Sequence, residues 1–570
     1  MRSRFAIAAV AALLAPPATL PAQARERGVT VVYGRLLGAD GAPMKLAHVH
    51  IWKSMQSRGA TRSLVGVDGR YAIATQYTGP LYIEFTGVDH YAALVPLLVE
   101  RPATIGLDVR LKHYEYTDSL ERITAIGDWN HFQFGTGRAL VKQPDGRYTL
   151  EVTTEADTLA YQLLGLEKGG NRSTNGPQAG RYYYDNGGDY RSIIPARDGH
   201  AAIVFDPSAL RRVPGELSVV FHDSTTSLAR TYRLMHAWDV EERAYFDSSR
   251  AARERKDSLR YEWAPTLRRL TSALQRESDA LIRQLLLFQL MDATTFAATH
   301  DTAVARRVIA EIPASSPWLS LLPNALNSTF YAYRLAYGRT PSPGSLPDTA
   351  FSRRLLDRYD RIAAEQPDSD VQARVLGNAV FIARSLHDDA RMNDYYTRLV
   401  TNYPDAGEVA FIKSQLAPNR VLRVGAEIPD FQFAELEDSA VTYSRESMAG
   451  KMYLLEFWAT WCGPCIGEMQ YLHAAHDSLA SQGLEILSVS LDVKADDVRH
   501  FRQGEWKMPW LHAFAPGGFE NAQVRRMEIF GIPRAALVGK DGRILAVDEE
   551  LRRDSLMPTI RHALQSASSP

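Results

Sequence analysis

The spacing of hydrophobic positions changes along the chain, and each change marks a different kind of element. From 28 to 112, short β-prone runs (Val29 to Leu37, Leu46 to Trp52, Gly69 to Ala74, Leu81 to Gly87) alternate with the turn signals Gly38-Ala39-Asp40-Gly41, Asp68-Gly69 and Gly79-Pro80. Short strands broken by such turns predict an all-β sandwich. Residues 120–235 predict a second all-β unit, richer in aromatic residues and turning at Gly127-Asp128-Trp129-Asn130 and Pro144-Asp145-Gly146. Between 236 and 420 the period lengthens. Stretches such as Ala251 to Leu290 place apolar residues three and four apart among Arg, Glu and Asp, which predicts helices. From 421 to 570 both periods occur. Met452 to Trp458 is an apolar strand interrupted only by Glu456, and a helix is expected from Cys465 to about Ser481. A strand over Leu484 to Leu491 follows, then a hairpin (Ala535 to Val538, Arg543 to Val547) about Lys540-Asp541-Gly542 and a last helix over 552–566. Strand–helix–strand followed by hairpin–helix predicts an α/β sheet with a mixed edge.

Several of these segments resemble known modules. The run from Gly34 to Pro43 followed by Val67-Asp68-Gly69-Arg70-Tyr71-Ala72-Ile73 resembles a carboxypeptidase-regulatory-like β-sandwich, a module that implies a spacer or interaction role. The second β unit is similar to the early-set, Ig-like sandwiches of glycogen-binding modules, which implies sugar stacking. Ordinary core aromatics and a hairpin turn account for the same residues. Asp185-Asn186-Gly187-Gly188-Asp189 lacks the alternating oxygen ligands of a calcium loop and is read as a solvated turn. In the helical region, Arg361-Ile362-Ala363-Ala364-Glu365 with Pro367-Asp368 is echoed by Arg398-Leu399-Val400 with Pro404-Asp405, 37 residues on. An earlier copy, Arg307 to Glu311, is displaced by an insertion at 338–347. This resembles a degenerate tetratricopeptide (TPR-like) array, which implies a docking surface for a protein partner; a plain helical spacer is the alternative.

Composition narrows the function. Hydrophobic residues make up 45% and charged residues 23%, and the net charge of −1 provides no field to gather nucleic acid or an acidic membrane. No nucleic-acid partner is expected. At the N-terminus, Arg2 and Arg4, the apolar Phe5 to Ala15, and Ala22-Gln23-Ala24 predict a signal peptide over 1–24. The run is shorter than the about 20 residues that span a bilayer. Export, to the periplasm where the host has two membranes, is expected. The chain has 2 cysteines, and both lie in Trp461-Cys462-Gly463-Pro464-Cys465. An exported protein held together by disulfides would carry many more, so the pair is read as redox-active. A zinc half-site is the rival, but no second Cys/His pair has suitable spacing, and no metal or other cofactor is expected.

Residues 421–570 resemble the TlpA/ResA type of thioredoxin-like thiol–disulfide oxidoreductase. The resemblance rests on Val424-Gly425-Ala426-Glu427-Ile428-Pro429-Asp430-Phe431 and on Phe457 to Cys465. Disulfide exchange needs a thiolate, and a helix N-terminus stabilises one. Cys462 is therefore the expected nucleophile and Cys465 the resolving thiol, with Pro464 suited to the first turn and Gly463 beside it. Glu456, buried in its strand, would be pushed toward neutrality and accept the proton of the resolving thiol, a role the family gives to an Asp at this position. An acid reaching solvent at the strand end is the alternative. The resemblance also implies that Glu468 tunes the thiols, against the alternative of a surface helical Glu. It further implies that Ile532-Pro533 forms a cis turn presenting backbone to a substrate strand, with Trp461 shaping the surface beside Cys462. One departure stands out: Ser488 occupies the position of the buried Lys of thioredoxins. His473 and His476 are read as packing or surface residues, and His48 and His50 as sharing one strand face without a third ligand.

The expected function is an exported reductase of protein disulfides, re-reduced by a membrane or periplasmic electron donor. Two other readings compete: a thiol peroxidase, although Ala459 stands where that chemistry places Thr or Ser, and a cell-envelope binding protein with an ancillary redox domain.

Overall fold

The computed structural model describes residues 28–567, apart from 45, 54–60, 121, 169–171, 186–188, 256, 260, 339–348, 387, 418 and 505. The leader expected at 1–24, most of the insertion at 338–347 and the centre of the 185–189 turn lie outside the described residues. The chain divides into two compact units: residues up to Val375 with Ser385–His387, and Leu376–Arg384 with the residues from Asp388 on.

In the first unit, two four-stranded sheets enclose one apolar core that includes Val32, Ile51, Phe85 and Leu107. One sheet orders the strands 218–221, 104–110, 30–37 and 70–75. Its first member, Ser218–Phe221, pairs antiparallel with Thr104–Arg110. A strand from within 120–235 thus completes a sheet begun by residues 30–37. Sequence period finds a strand, but long-range pairing chooses its sheet. The remaining strands from 124 to 205 surround a second core containing Ile123, Tyr148, Tyr161 and Phe205. Helices begin at Ser227, ahead of 236, because the Thr226 side chain accepts the Ala229 N–H and caps the first turn. Asp279 and Asp301 cap later helices in the same way.

The second unit positions the candidate site. Helices α1 (Asp389–Asn402) and α2 (Gly407–Leu416) precede a seven-stranded sheet. Its strands are β1 (Gln432–Glu435), β2 (Thr442–Ser444), β3 (Met452–Trp458), β4 (Leu484–Ser490), β5 (Leu511–Phe514), β6 (Arg534–Val538) and β7 (Ile544–Val547), in the spatial order β2-β1-β5-β4-β3-β6-β7. Neighbours β3, β4 and β5 run parallel, while β6 and β7 return antiparallel. Helices α3 (Gly463–Leu479), α4 (Ala495–Gln503), α5 (Ala522–Arg526) and α6 (Arg553–Ala567) complete it. Every residue of β3 is buried, as expected for a central strand covered on both faces. One face packs Leu454 and Trp458 with α3 and α6; the other packs Tyr453, Leu455 and Phe457 with Phe433 and Val489. This is a thioredoxin-like domain. Among the described residues no helix is long and apolar enough to cross a membrane.

Candidate active site

Parallel strands β3 and β4 end side by side, and the crevice at the carboxyl ends of such strands is where open α/β sheets hold their sites. The β3–α3 connection is fixed from β4. The Asp492 carboxylate accepts the Thr460 N–H at 3.0 Å and its hydroxyl at 2.6 Å, and Ser490 donates to the same carboxylate at 2.8 Å. Helix α3 then starts at Cys462, whose extended backbone (φ −86°, ψ 93°) makes it the cap. Its Sγ accepts the Cys465 N–H at 3.2 Å, so a backbone donor at the helix start points at the sulfur. Pro464 falls in the first turn, where a missing N–H leaves nothing unpaired. Cys462 and Cys465 are joined as a disulfide, Cys465 wholly buried and Cys462 5% exposed. Trp461 beside them is 58% exposed, its ring 6.4 Å from that of Phe519. A side chain at Gly463 would meet no atom within 4 Å, so the surface beside the sulfurs is open there.

On β3, the strand that leads to the cysteines, Glu456 pairs in register with Ser488 on β4 and Ala535 on β6. It is 4% exposed, and neither carboxyl oxygen has a hydrogen-bond partner of ordinary geometry. Burial pushes its pKa up to about 8, the Ser488 hydroxyl and the Arg552 cation pulling it down and the Glu468 charge raising it further. Glu456, Glu468, Leu472, Pro533 and Arg552 line a cavity of about 20 Å³, room for one water molecule.

Glu468 faces this cavity from α3 and also accepts the Arg553 N–H at 2.9 Å, placing an anion at the N-terminus of α6. The Ile532–Pro533 bond is cis. Ile532 packs against the apolar cluster that contains both cysteines, and the Arg552 guanidinium donates to the Pro533 carbonyl oxygen. The histidines of α3 sit apart: the His473 ring lies 4.8 Å from Trp510 and the His476 ring 5.6 Å from it, a packing arrangement. In the first unit the His48 ring stacks on Tyr184 at 4.2 Å. Among the described residues no group of three or more His, Cys, Asp or Glu is placed to hold a metal ion.

Sequence reasoning missed Asp492, Arg552 and the Arg534–Asp548 pair. An acid just past the apolar strand Leu484 to Leu491, at the edge where α/β sites form, was a usable signal for Asp492. The arginines had none, because their partners are distant in sequence.

Residues 424–545 match the family model described as the AhpC/TSA family. The chain is similar to a thiol-disulfide oxidoreductase ResA of Oceanobacillus iheyensis, 36% identical over 85 residues, 15% of this chain and 44% of that protein. A ResA of Bacillus cereus is 28% identical over 143 residues, 25% of this chain and 79% of the relative. A thiol:disulfide interchange protein DsbE of Vibrio cholerae is 26% identical over 121 residues, 21% of this chain and 62% of the relative. The chain therefore spans less than half of the first relative's length and about four-fifths of the second's. The C-terminal region alone carries the likeness to ResA- and DsbE-type thiol–disulfide oxidoreductases.

Proposed function

We propose that this chain is an exported thiol–disulfide oxidoreductase that reduces protein disulfides through Cys462 and Cys465. The observation that carries the reading is the cysteine pair at the start of α3, preceded by a strand that carries the buried carboxyl of Glu456. Reduced Cys462 attacks as thiolate, one substrate sulfur leaves and takes up a proton, and a mixed disulfide forms. Cys465 then gives its proton to Glu456 and attacks Cys462 Sγ, releasing the second substrate sulfur. Two electrons have passed to the substrate, and the Cys462–Cys465 disulfide awaits a dithiol donor in the periplasm or membrane. Glu456 suits the second step because a base with a pKa near that of a thiol accepts its proton at little cost. Ile532 and the Pro533 turn, with exposed Trp461, would receive the substrate strand, and Glu468 would bias the charge on Glu456. Upstream, the two β units over 28–112 and 120–235 act as spacer or interaction modules, and the TPR-like region over 236–420 as a partner-docking array. Export rests on the leader pattern at 1–24.

The test is mixed-disulfide trapping on the full chain carrying Cys465→Ala, alongside insulin reduction by the unaltered protein. Expected are captured envelope proteins released by dithiothreitol, and turnover lost in Cys462→Ser. No capture together with no insulin reduction overturns the reading, and rapid peroxide consumption in its place would assign the pair to peroxidase chemistry.

A further inference from the structure

A buried carboxyl that must ionise during a reaction needs a positive charge within reach, and the sheet around Glu456 supplies none. Its register partner on β4 is Ser488, whose hydroxyl accepts the Trp510 indole N–H at 2.9 Å, and its partner on β6 is Ala535. From α3 the cavity receives Glu468 and the apolar Leu472, neither of them a cation. Arg534, on β6, lines the same cavity, but its guanidinium is engaged by Asp548 at 2.9 Å and by the Ser414 carbonyl at 2.9 Å. Arg553 is paired with Glu468, its Nε 3.8 Å from the Glu468 Oε1, and its side chain is otherwise 77% exposed. Arg552 is what remains. It stands in the turn before α6, lines the same cavity as Glu456, and is tethered by donating to the carbonyl oxygen of Pro533.

This arrangement rests on the exchange reaction proposed above and adds a residue to it. We propose that Arg552 is a positioning residue for the reaction: anchored on the Pro533 carbonyl, its guanidinium gives Glu456 the counter-charge that the sheet lacks, and so ties the substrate-receiving turn to the proton acceptor. Glu456 must stand as a carboxylate before Cys465 can pass its proton to it, and the cation that shares its small cavity stabilises that charged form. In so dry a site, charges interact more strongly than they do in water. The tether serves both ends, because the hydrogen bond that aims the guanidinium also holds the backbone just past Ile532. The direction of the effect agrees: burial and the Glu468 charge raise the proton affinity of Glu456, and the Ser488 hydroxyl and the Arg552 cation lower it.

The test is the pH dependence of insulin-disulfide reduction by the full chain, with Arg552→Gln and Arg552→Lys compared with the unaltered protein from about pH 6 to about pH 9. Activity rises as Glu456 ionises. Arg552→Gln removes the cation, so the midpoint of that rise moves up by about one unit, and KM for insulin increases. Arg552→Lys keeps the charge and the midpoint while losing the planar donor fork, so its effect falls on KM. A residue that only held the turn in place would lower activity at every pH and leave the midpoint alone. An unchanged midpoint in Arg552→Gln overturns the proposal, as does a Lys variant that shifts as far as the Gln variant. If neither variant folds, Arg552 is a structural residue and the proposal falls. An unaltered protein that reduces no insulin at any pH would instead defeat the underlying redox reading.

Discussion

The Arg534 guanidinium meets the Asp548 carboxylate at 2.9 Å, with the two side chains only 1% and 3% exposed. Arg534 comes immediately after the cis Pro533 and reaches back to α2 by donating to the Ser414 carbonyl. Burial raises the Asp548 pKa, and the Arg534 charge draws it back down. Removing one member strands the other without compensation. Arg534→Met should therefore destabilise the second unit by about 3–5 kcal/mol, whereas the Arg534→Met/Asp548→Leu double variant should recover most of that loss. Chemical denaturation of the two variants beside the unaltered protein checks this, and a double variant no more stable than the single would show that the cost lies elsewhere.

Glu456 makes stability depend on pH in a known direction. Its carboxyl titrates at about 8 when folded against 4.5 as the ordinary value, because burial disfavours the charge. Below the lower value both states are protonated and the group is neutral in its effect. As pH rises between the two values the unfolded chain ionises first, so stability falls; above the upper value the loss is complete. Near pH 7 the loss is on the order of 3 kcal/mol. Glu456→Gln should raise the melting temperature near neutrality and leave it almost unchanged near pH 4, while resolution of mixed disulfides slows. Melting curves across this range would contradict the burial argument if the gain were the same at every pH.

Asp492 holds the segment that leads into the cysteines through three hydrogen bonds at 3.0 Å or less, from Thr460 N–H, Thr460 Oγ and Ser490 Oγ. Asp492→Ala leaves the Thr460 N–H and two hydroxyls to find other partners at a cost of about 1–3 kcal/mol. A drop in kcat/KM for disulfide reduction on the order of tenfold is expected, with the folded content unchanged by circular dichroism. Unaltered kinetics would mean that the β3–α3 connection holds its shape without this acid.

Helix α2 lies close to the turn before Pro533. A Cβ placed on Gly531 would come within 2.8 Å of the Phe411 ring. Gly531→Ala should cost about 1–3 kcal/mol by overpacking, and Phe411→Leu in the same chain should relieve part of it. Additive effects in a double-mutant cycle would show that the two residues do not bear on each other. The same contact, with the Arg534–Ser414 bond, implies that a fragment cut at 421 melts below one that begins at 388.

Much of the redox unit is legible residue by residue. The apolar run of β3, the turn at Lys540-Asp541-Gly542 and the helix after the cysteines are written in period and turn chemistry, and the observed α3, Gly463–Leu479, differs from its expected span by two residues at each end. The site is legible only in part. The cysteines announce themselves by spacing, and Glu456 by being an acid in an apolar strand. That Glu468 faces the same cavity follows from the docking of α6 against α3, and no local signal distinguishes it from a solvated helical acid.

Most strands, helices and turns of the redox unit, and the pair of sulfurs at a helix start, are written locally in the chain, because capping, periodicity and a Cys-x-x-Cys spacing are settled among residues a few positions apart. It took the packed fold to bring Ser218–Phe221 into the sheet begun at Thr30, to set Arg552 in one cavity with Glu456, and to lock Arg534 onto α2. These depend on which distant segments pack together, and burial sets the charge of Glu456 only after that packing has excluded water from it.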